Sequence, residues 1–212
     1  MGRSETLRGP AAPPRLARPR RIAPATRNAW RQLSDEIEGC RRCRLGSLRT
    51  RAVVYRGTLA PWVVFVGEAP GAAEDRAGIP FVGRSGQRLD AAIGRLGLGA
   101  SEFGVLNVLK CRPPENRFDP AAARTCRPYL DRQLALLRPS LVVSLGASAL
   151  RSLDPEAPTV LIAAGTPRRW GDRTLFPLIH PAAALRSRRL AERWALDLER
   201  LGRWIGRAAQ TA

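Results

Sequence analysis

The sequence lacks the long apolar segments that mark membrane-spanning and exported proteins. No run of about 18 apolar residues occurs among its 212 residues, so we expect no membrane span. The Arg- and Pro-rich start of the chain has no continuous apolar stretch, which argues against a secretory signal. We therefore expect a reducing, cytoplasmic location, associated with the nucleoid if the source is prokaryotic.

Acidic residues are few, and lysine is almost missing. The chain has 36 basic residues against 18 acidic ones, for a net charge of +18, and Lys110 is its only lysine. Such an excess of arginine predicts a polyanionic partner, most simply a nucleic acid. The alternative is a basic tail and a solvated basic surface. We also expect a monomer.

The charge is not evenly spread along the chain. Residues 1–28 are rich in arginine and proline and show little apolar periodicity, which predicts a disordered basic arm. Apolar periodicity begins near residue 30, and residues 29–208 are predicted to form one domain with its own core. We find no internal repeat.

Only four cysteines occur, in two close pairs, Cys40-x2-Cys43 and Cys111-x14-Cys126. Two pairs of thiols are typical of a site that binds zinc or an iron–sulfur cluster through four sulfurs. A disulfide framework would need an oxidising compartment, and four unconnected thiols are the remaining alternative. We expect a metal ion or a cluster.

Short apolar strands alternate with amphipathic helices in the rest of the chain. This order predicts an α/β fold, a three-layer α/β/α sandwich around a central parallel-rich sheet. Strands are predicted at residues 62–66, 105–109, 141–145 and 174–179, and helices at about 30–40, 85–96, 120–137 and 189–205.

Residue types that carry chemistry follow these predicted strands. The turn 67–71 contains Glu68 and opens a long loop in which Phe81 stands among glycines and prolines. Asn107 lies in an apolar run, and His180, the only histidine, ends the last strand. Because ligands bind at the carboxyl ends of parallel strands, we expect a site there. Each residue also has an ordinary structural explanation, as a solvated acid, a packed ring, a buried amide or a structural imidazole.

Four segments, taken in order, resemble the family 4 uracil-DNA glycosylases. They are residues 67–75 (GEAPGAAED), 78–83 (GIPFVG), 107–117 (NVLKCRPPENR) and 180–186 (HPAAALR). The similarity extends from about residue 30 to 205. Two features depart from the family pattern: Phe118 interrupts the usual Asn-Arg-Asp-Pro run, and the basic arm is additional.

The resemblance implies a uracil-DNA glycosylase-like domain that acts on uracil in single- or double-stranded DNA. It implies a [4Fe–4S] cluster, with the four ligands Cys40, Cys43, Cys111 and Cys126. The implied catalytic residues are Glu68, Asn107 and His180, and the implied substrate-binding residues are Ala69, Glu74, Phe81 and Asn107. Leu185 and Arg186 are expected to contact DNA.

The same resemblance gives these residues roles. Phe81 would stack on uracil, Asn107 would read its edge, and His180 would lie beside uracil O2. Ala69 stands where the single-domain uracil glycosylases have a water-activating aspartate. The branch of the superfamily that traps uracil covalently carries a further histidine after the second motif, and its absence here argues against that activity.

Two other function classes compete with a repair hydrolase. A non-catalytic nucleic-acid-binding protein holding zinc or a cluster would explain the charge and the cysteines, but not the polar residues at the strand ends. An iron–sulfur redox protein is also conceivable. No Gly-x-Gly-x-x-Gly follows a predicted strand, which weakens that alternative.

Overall fold

A computed structural model describes residues 21–210, without the side chains of residues 208–210. In that range the helices are α1 (Pro24–Gly39), α2 (Leu45–Leu48), α3 (Ala72–Ala77), α4 (Arg84–Arg95), α5 (Pro120–Leu137), α6 (Ala147–Leu153), α7 (Val160–Ala163), α8 (Pro181–Arg186) and α9 (Arg188–Gln210). The strands are β1 (Arg56–Gly57), β2 (Val63–Gly67), β3 (Phe103–Asn107), β4 (Leu141–Leu145), β5 (Arg168–Trp170) and β6 (Arg173–Leu178).

Most of the predicted basic arm lies outside the described residues. Its last residues, 24–28, already belong to α1, which has proline at its first turn and buries Leu33 and Ile37. The predicted helix near residue 30 is therefore present and starts earlier, because Pro24 is well suited to the first turn of a helix. None of the helices between residues 21 and 210 is both long and apolar enough to cross a bilayer.

The six strands form one sheet in the order β1-β3-β2-β4-β6-β5. The inner pairs β3–β2, β2–β4 and β4–β6 are parallel, whereas β1 and β5 add antiparallel edges. The predicted parallel-rich sheet is thus confirmed. Gly67 and Asn107 are register partners at the last positions of β2 and β3, so both lie at the carboxyl edge.

Alternate residues of the inner strands pack into two different cores. Val63 and Phe65 face a core that includes residues of α4, α8 and α9. Val64 and Val66 face a second core built with α5, α6 and α7. Because successive side chains of a strand point to opposite faces, these fully buried runs need helices on both sides, which gives the predicted three layers.

Helix α5 begins as its sequence predicts. Asp119 is the N-cap and accepts a hydrogen bond from the Ala122 amide, and Pro120 is the first helical residue. Its inner stripe includes Leu130, Leu134 and Leu137. This helix carries Cys126 and brings it beside the other cysteines.

The prediction of an unbroken loop from residue 67 to 83 was wrong. Helix α3 occupies the middle of this segment and ends at Gly78, which has φ +73°. The Glu74 carboxylate accepts from the Gly71 amide at 3.0 Å, so a side chain within the segment satisfies an amide at the start of the helix. Predicted strands 62–66, 105–109 and 174–179 are each displaced by one or two residues in the structure.

Candidate active site

A cleft of about 620 Å³ opens at the carboxyl edge of the sheet. It brings together most of the residues that the sequence predicts for a site. Its lining includes Glu68, Ala69, Glu74, Phe81, Asn107, His180 and Arg186. These residues come from the ends of β2, β3 and β6 and from the segment around α3, so the parallel order of the sheet gathers them.

Gly67 allows Phe81 and Asn107 to meet at the base of the cleft. A methyl group at Gly67 would lie 2.5 Å from Cζ of Phe81 and would also overlap Oδ1 of Asn107. Phe81 itself has a left-handed backbone, with φ +56°. Its carbonyl lies so close to Gly86 that a side chain there would overlap it. Two glycines therefore fix the position of the Phe81 ring.

Asn107 is almost completely buried, with 1% of its surface exposed. Its side-chain oxygen Oδ1 has no hydrogen-bond partner among residues 21–210. Its main-chain carbonyl, by contrast, accepts a hydrogen bond from the buried ammonium of Lys110. Buried polar atoms are rarely left unpaired, so an amide that is unsatisfied at the wall of a cleft is suited to a ligand.

His180 has a defined tautomer. Its Nδ1 accepts a hydrogen bond from the Ala182 amide at 3.1 Å, which requires an unprotonated Nδ1 and leaves the proton on Nε2. Burial, with a smaller effect from the charge of Arg186, lowers the pKa of His180 to about 4, although Glu74 opposes the shift. The imidazole is therefore neutral at pH 7 and can donate through Nε2.

The Phe81 and His180 rings lie side by side. Their centroids are 5.9 Å apart and their planes differ by 29°. Gly146, which follows β4 with φ +93°, allows this placement, since a methyl group there would lie 3.0 Å from Cβ of His180. An aromatic face and a hydrogen-bond donor thus border the same space.

Three acids line the cleft, Glu68, Glu74 and Glu115, and they are placed differently; Glu115 is exposed and paired with Arg117. Glu74 accepts from the amides of Val82 and Gly83 at 3.0 and 2.8 Å, as well as from Gly71, so its carboxylate ties α3 to the Phe81 loop. Glu68 is partly exposed and lines the cleft. Of the two acids at the strand end and the α3 segment, Glu74 is held by backbone amides and shapes the wall, whereas no backbone amide binds the Glu68 carboxylate.

All four cysteines line a second, small cavity between α1 and α5. None of them forms a disulfide. The Arg49 guanidinium donates to Sγ of Cys111 at 3.0 Å, and the buried Lys110 also borders the cavity. Within residues 21–210, no three histidine, cysteine or acidic side chains are placed to hold a single metal ion.

The charges around this cavity fit an anionic four-thiolate centre. Besides the cysteines, the charged residues that line it are Arg42, Arg49 and Lys110, and all three are positive. Four thiolates and a cubane of iron and sulfide carry net negative charge, which these cations would balance. The structure places both cysteine pairs at one cavity; their binding of a metal ion or a cluster stays a prediction.

The model of the uracil DNA glycosylase superfamily matches residues 55–198 of the chain. The chain belongs to this superfamily. The type-4 uracil-DNA glycosylase of Archaeoglobus fulgidus is 37% identical over 83% of this chain and 93% of its own length. That of Thermotoga maritima is 37% identical over 74% of this chain and 83% of its own length. A type-5 uracil-DNA glycosylase of Mycobacterium bovis is 30% identical over 66% of this chain and 64% of its own length.

These similarities identify the chain as a type-4 member of the superfamily.

Leu185 and Arg186 lie at the end of α8, beside the cleft, and Leu185 has 40% of its surface exposed. Arg186 lines the cleft, whereas Leu185 does not. Their contact with DNA stays a prediction.

Two further residues of this uracil glycosylase fold were missed from the sequence. Lys110 was noted only as the single lysine, yet it is fully buried between Asn107 and the cysteine cavity. Asp75 is buried and accepts from the Thr50 amide at 3.0 and 3.2 Å, which ties α3 to the segment after α2. A lone lysine inside an apolar run is the one signal that could have drawn attention to Lys110.

Proposed function

We propose that this chain is a DNA-repair glycosylase that removes uracil from DNA by hydrolysing its N-glycosidic bond, leaving an abasic site. The observation that carries the proposal is a pair of groups at one cleft: the unpartnered amide oxygen of Asn107 and the neutral imidazole of His180. Membership of the superfamily and the names of its type-4 relatives support the same activity.

Asn107 would select the base. Its Oδ1 can accept from uracil N3–H while its amide nitrogen donates to O4. Cytosine presents an acceptor at N3 and a donor at C4, so both contacts would be mismatched and a buried amide would be left unpaired. The Phe81 ring would stack on the flipped base, which must leave the helical stack to reach the cleft.

His180 would stabilise the leaving group. Cleavage of the glycosidic bond leaves negative charge on uracil and positive charge on the sugar. The Nε2–H of a neutral imidazole, donating to uracil O2, would stabilise the departing uracilate as a preoriented dipole. The Glu68 carboxylate, which follows β2 and has no backbone amide bound to it, would either orient the water or stabilise the cationic sugar.

Cys40, Cys43, Cys111 and Cys126 would hold a [4Fe–4S] cluster. The cluster would supply a covalent link between α1, the segment after β3 and α5, since hydrolysis needs no electron transfer. Zinc in the same cavity is the alternative, and it belongs to the second candidate function, a non-catalytic nucleic-acid-binding protein. The basic charge favours DNA as the partner in either case.

The deciding experiment measures uracil release under single-turnover conditions from single- and double-stranded DNA. The wild-type chain should release uracil and leave thymine and cytosine untouched. His180→Ala should lower the cleavage rate by a hundred- to a thousandfold, or about 2.7–4 kcal/mol, as for a lost oxyanion donor, with DNA affinity retained. A wild-type rate in folded His180→Ala would contradict the role of the imidazole.

Iron and sulfide analysis of anaerobically purified protein tests the cysteine site separately. A cubane held by four thiolates requires about four irons and four sulfides per chain. Stoichiometric zinc without sulfide, together with no uracil release, would favour the binding protein instead.

A further inference from the structure

A second cleft, of about 420 Å³, lies on the α5–α6 side of the sheet. We call it the α5–α6 groove. The side chains that matter for its chemistry are Phe118, Arg124, Arg127, Ser148, Arg151 and Ser152. The proposed uracil chemistry uses none of them.

All the charged side chains that line the groove are basic. Three arginines line it, and no acidic side chain does. Arg127 is engaged with Asp131 and with the Ser152 carbonyl. Arg124 and Arg151 are exposed, and neither guanidinium makes a hydrogen bond or an ion pair within the described part of the chain. Two unpaired guanidinium groups across one groove favour an anionic occupant.

The groove also presents an aromatic ring. Phe118 is partly buried, with one part packed against the core on the α5–α6 side and another bordering the groove. This is the residue by which the chain departs from the Asn-Arg-Asp-Pro pattern. Arginines beside an exposed aromatic face are the combination that binds single-stranded nucleic acid, because phosphates pair with the cations and a base stacks on the ring.

The groove is a neighbour of the active-site cleft. Glu115 and Asn116 line the cleft, and Phe118, two residues further along, lines the groove. Val108 borders the groove directly after Asn107, which lines the cleft. One short segment therefore separates the two, and a polymer that fills the cleft with one unit can continue into the groove with a neighbouring unit.

We infer that the α5–α6 groove binds the unpaired DNA strand next to the flipped nucleotide, with a base on Phe118 and phosphates on Arg124 and Arg151. This inference rests on the proposed function. It extends that function by giving the enzyme a site for single-stranded DNA, since a base can stack on Phe118 only when it is unpaired and turned out of a duplex.

The test compares two double variants that remove the same charge. Arg124→Ala/Arg151→Ala changes the groove. Arg95→Ala/Arg203→Ala is the control, because both of its arginines are exposed and lie on α4 and α9, against the opposite face of the sheet. Affinity for a uracil-free single-stranded oligonucleotide is measured over a series of salt concentrations, so the result does not depend on catalysis.

Loss of two phosphate contacts should reduce the slope of log K against log salt by about 1.4 for a single strand, and the control should change it far less. Phe118→Leu should raise Kd about fivefold or more with little change of slope, because it removes stacking but no charge. Affinity for a fully paired duplex should fall less than affinity for the single strand. Uracil release at saturating DNA should stay near the wild-type rate in all these variants.

Equal salt slopes for the groove and control variants would overturn the inference. The inference would also be overturned if the groove variant lost as much affinity for a polyglutamate peptide as for single-stranded DNA, because the groove would then be a general polyanion-binding surface. Failure of the proposed function looks different: the wild-type chain would release no uracil from any DNA, whatever the groove variants do.

Discussion

The protonation of His180 offers a direct test of the active-site geometry. It is the only histidine in the chain, so its imidazole signals need no assignment among others. The structure gives it an unprotonated Nδ1 that accepts from the Ala182 amide and a pKa lowered by burial to about 4. The test varies the pH, and the imidazole of His180 should titrate far below 6.5, the approximate ordinary pKa of a histidine.

The size of the effect follows from that pKa. With a pKa of about 4, only about 0.3% of the imidazole is protonated at pH 6.5, where an ordinary histidine would be about half protonated. The uracil-release rate should therefore be flat between pH 6 and 8 as far as this group is concerned. It should fall only as pH approaches 5 and below, where protonation removes the Nδ1 acceptor and loosens the start of α8.

The protonation of His180 should also make the free energy of unfolding depend on pH. Between pH 6.5 and about 4 the unfolded chain binds a proton at this histidine and the folded chain does not. The free energy of unfolding therefore falls as pH is lowered through that window, by about 3 kcal/mol from this group, and is unaffected by it above pH 7. His180→Ala should lack this part of the pH dependence.

Nitrogen-15 NMR of histidine-labelled protein measures both quantities. Nδ1 should show the shift of an unprotonated nitrogen at pH 7, Nε2 that of a protonated one, and the midpoint should lie near 4. A midpoint near 6.5 would refute the lowered pKa. A proton on Nδ1 at pH 7 would refute the tautomer and with it the proposed donation from Nε2 to uracil. The matching urea unfolding series, at several pH values, checks the stability.

Three further changes test other parts of the molecule. Gly67→Ala places a methyl group against Phe81 and Asn107 and should lower uracil release about a hundredfold while leaving affinity for uracil-free DNA intact; an unchanged rate would show that the base of the cleft is not tight. Asn107→Asp puts a carboxylate opposite uracil O4 and should lower release by about a hundredfold or more; unchanged release would remove Asn107 from base recognition. Deleting residues 1–20, which leaves α1 whole, should weaken DNA binding and flatten its salt dependence without changing the single-turnover rate at saturation; a large loss of rate would show that the arm helps to build the site.

The interior of the fold could be predicted from the sequence, and its edges could not. Strands β2 and β4 are fully buried and, apart from Ser144, consist of apolar residues and glycine, as is typical of a central strand of a parallel sheet. The edge strands β1 and β5 are two and three residues long and contain exposed or half-exposed arginine and glycine. Their pairing depends on neighbours distant in the chain, so no local pattern marks them.

The short helices of the site escaped prediction for a different reason. Helix α3 has six residues and lies between glycines, where propensity favours a turn. Glu74, three residues after the N-cap Gly71, supplies the acid half of a capping box by accepting from the Gly71 amide, and this acid was the available signal. Helix α8 begins at Pro181, and His180 is its N-cap. Histidine is not among the usual capping residues, so no signal in the sequence marks His180 as the start of a helix.

The position of Lys110 explains how four cysteines could matter to a hydrolase. The backbone beyond β3 continues beside β2: the amides of Val108 and Leu109 donate to the carbonyls of Gly67 and Glu68 at 2.9 and 3.0 Å. Lys110 then borders the cysteine cavity, and its ammonium donates back to the Asn107 carbonyl.

Cys111 follows at once, so whatever binds the four sulfurs also fixes the strand end that carries Asn107. A buried ammonium needs partners, and here it has a carbonyl on one side and sulfur on the other. Emptying the cysteine site would leave that charge poorly compensated and would loosen the Asn107 amide, which we propose reads the base. In this proposal the cysteines act on base recognition through packing and charge.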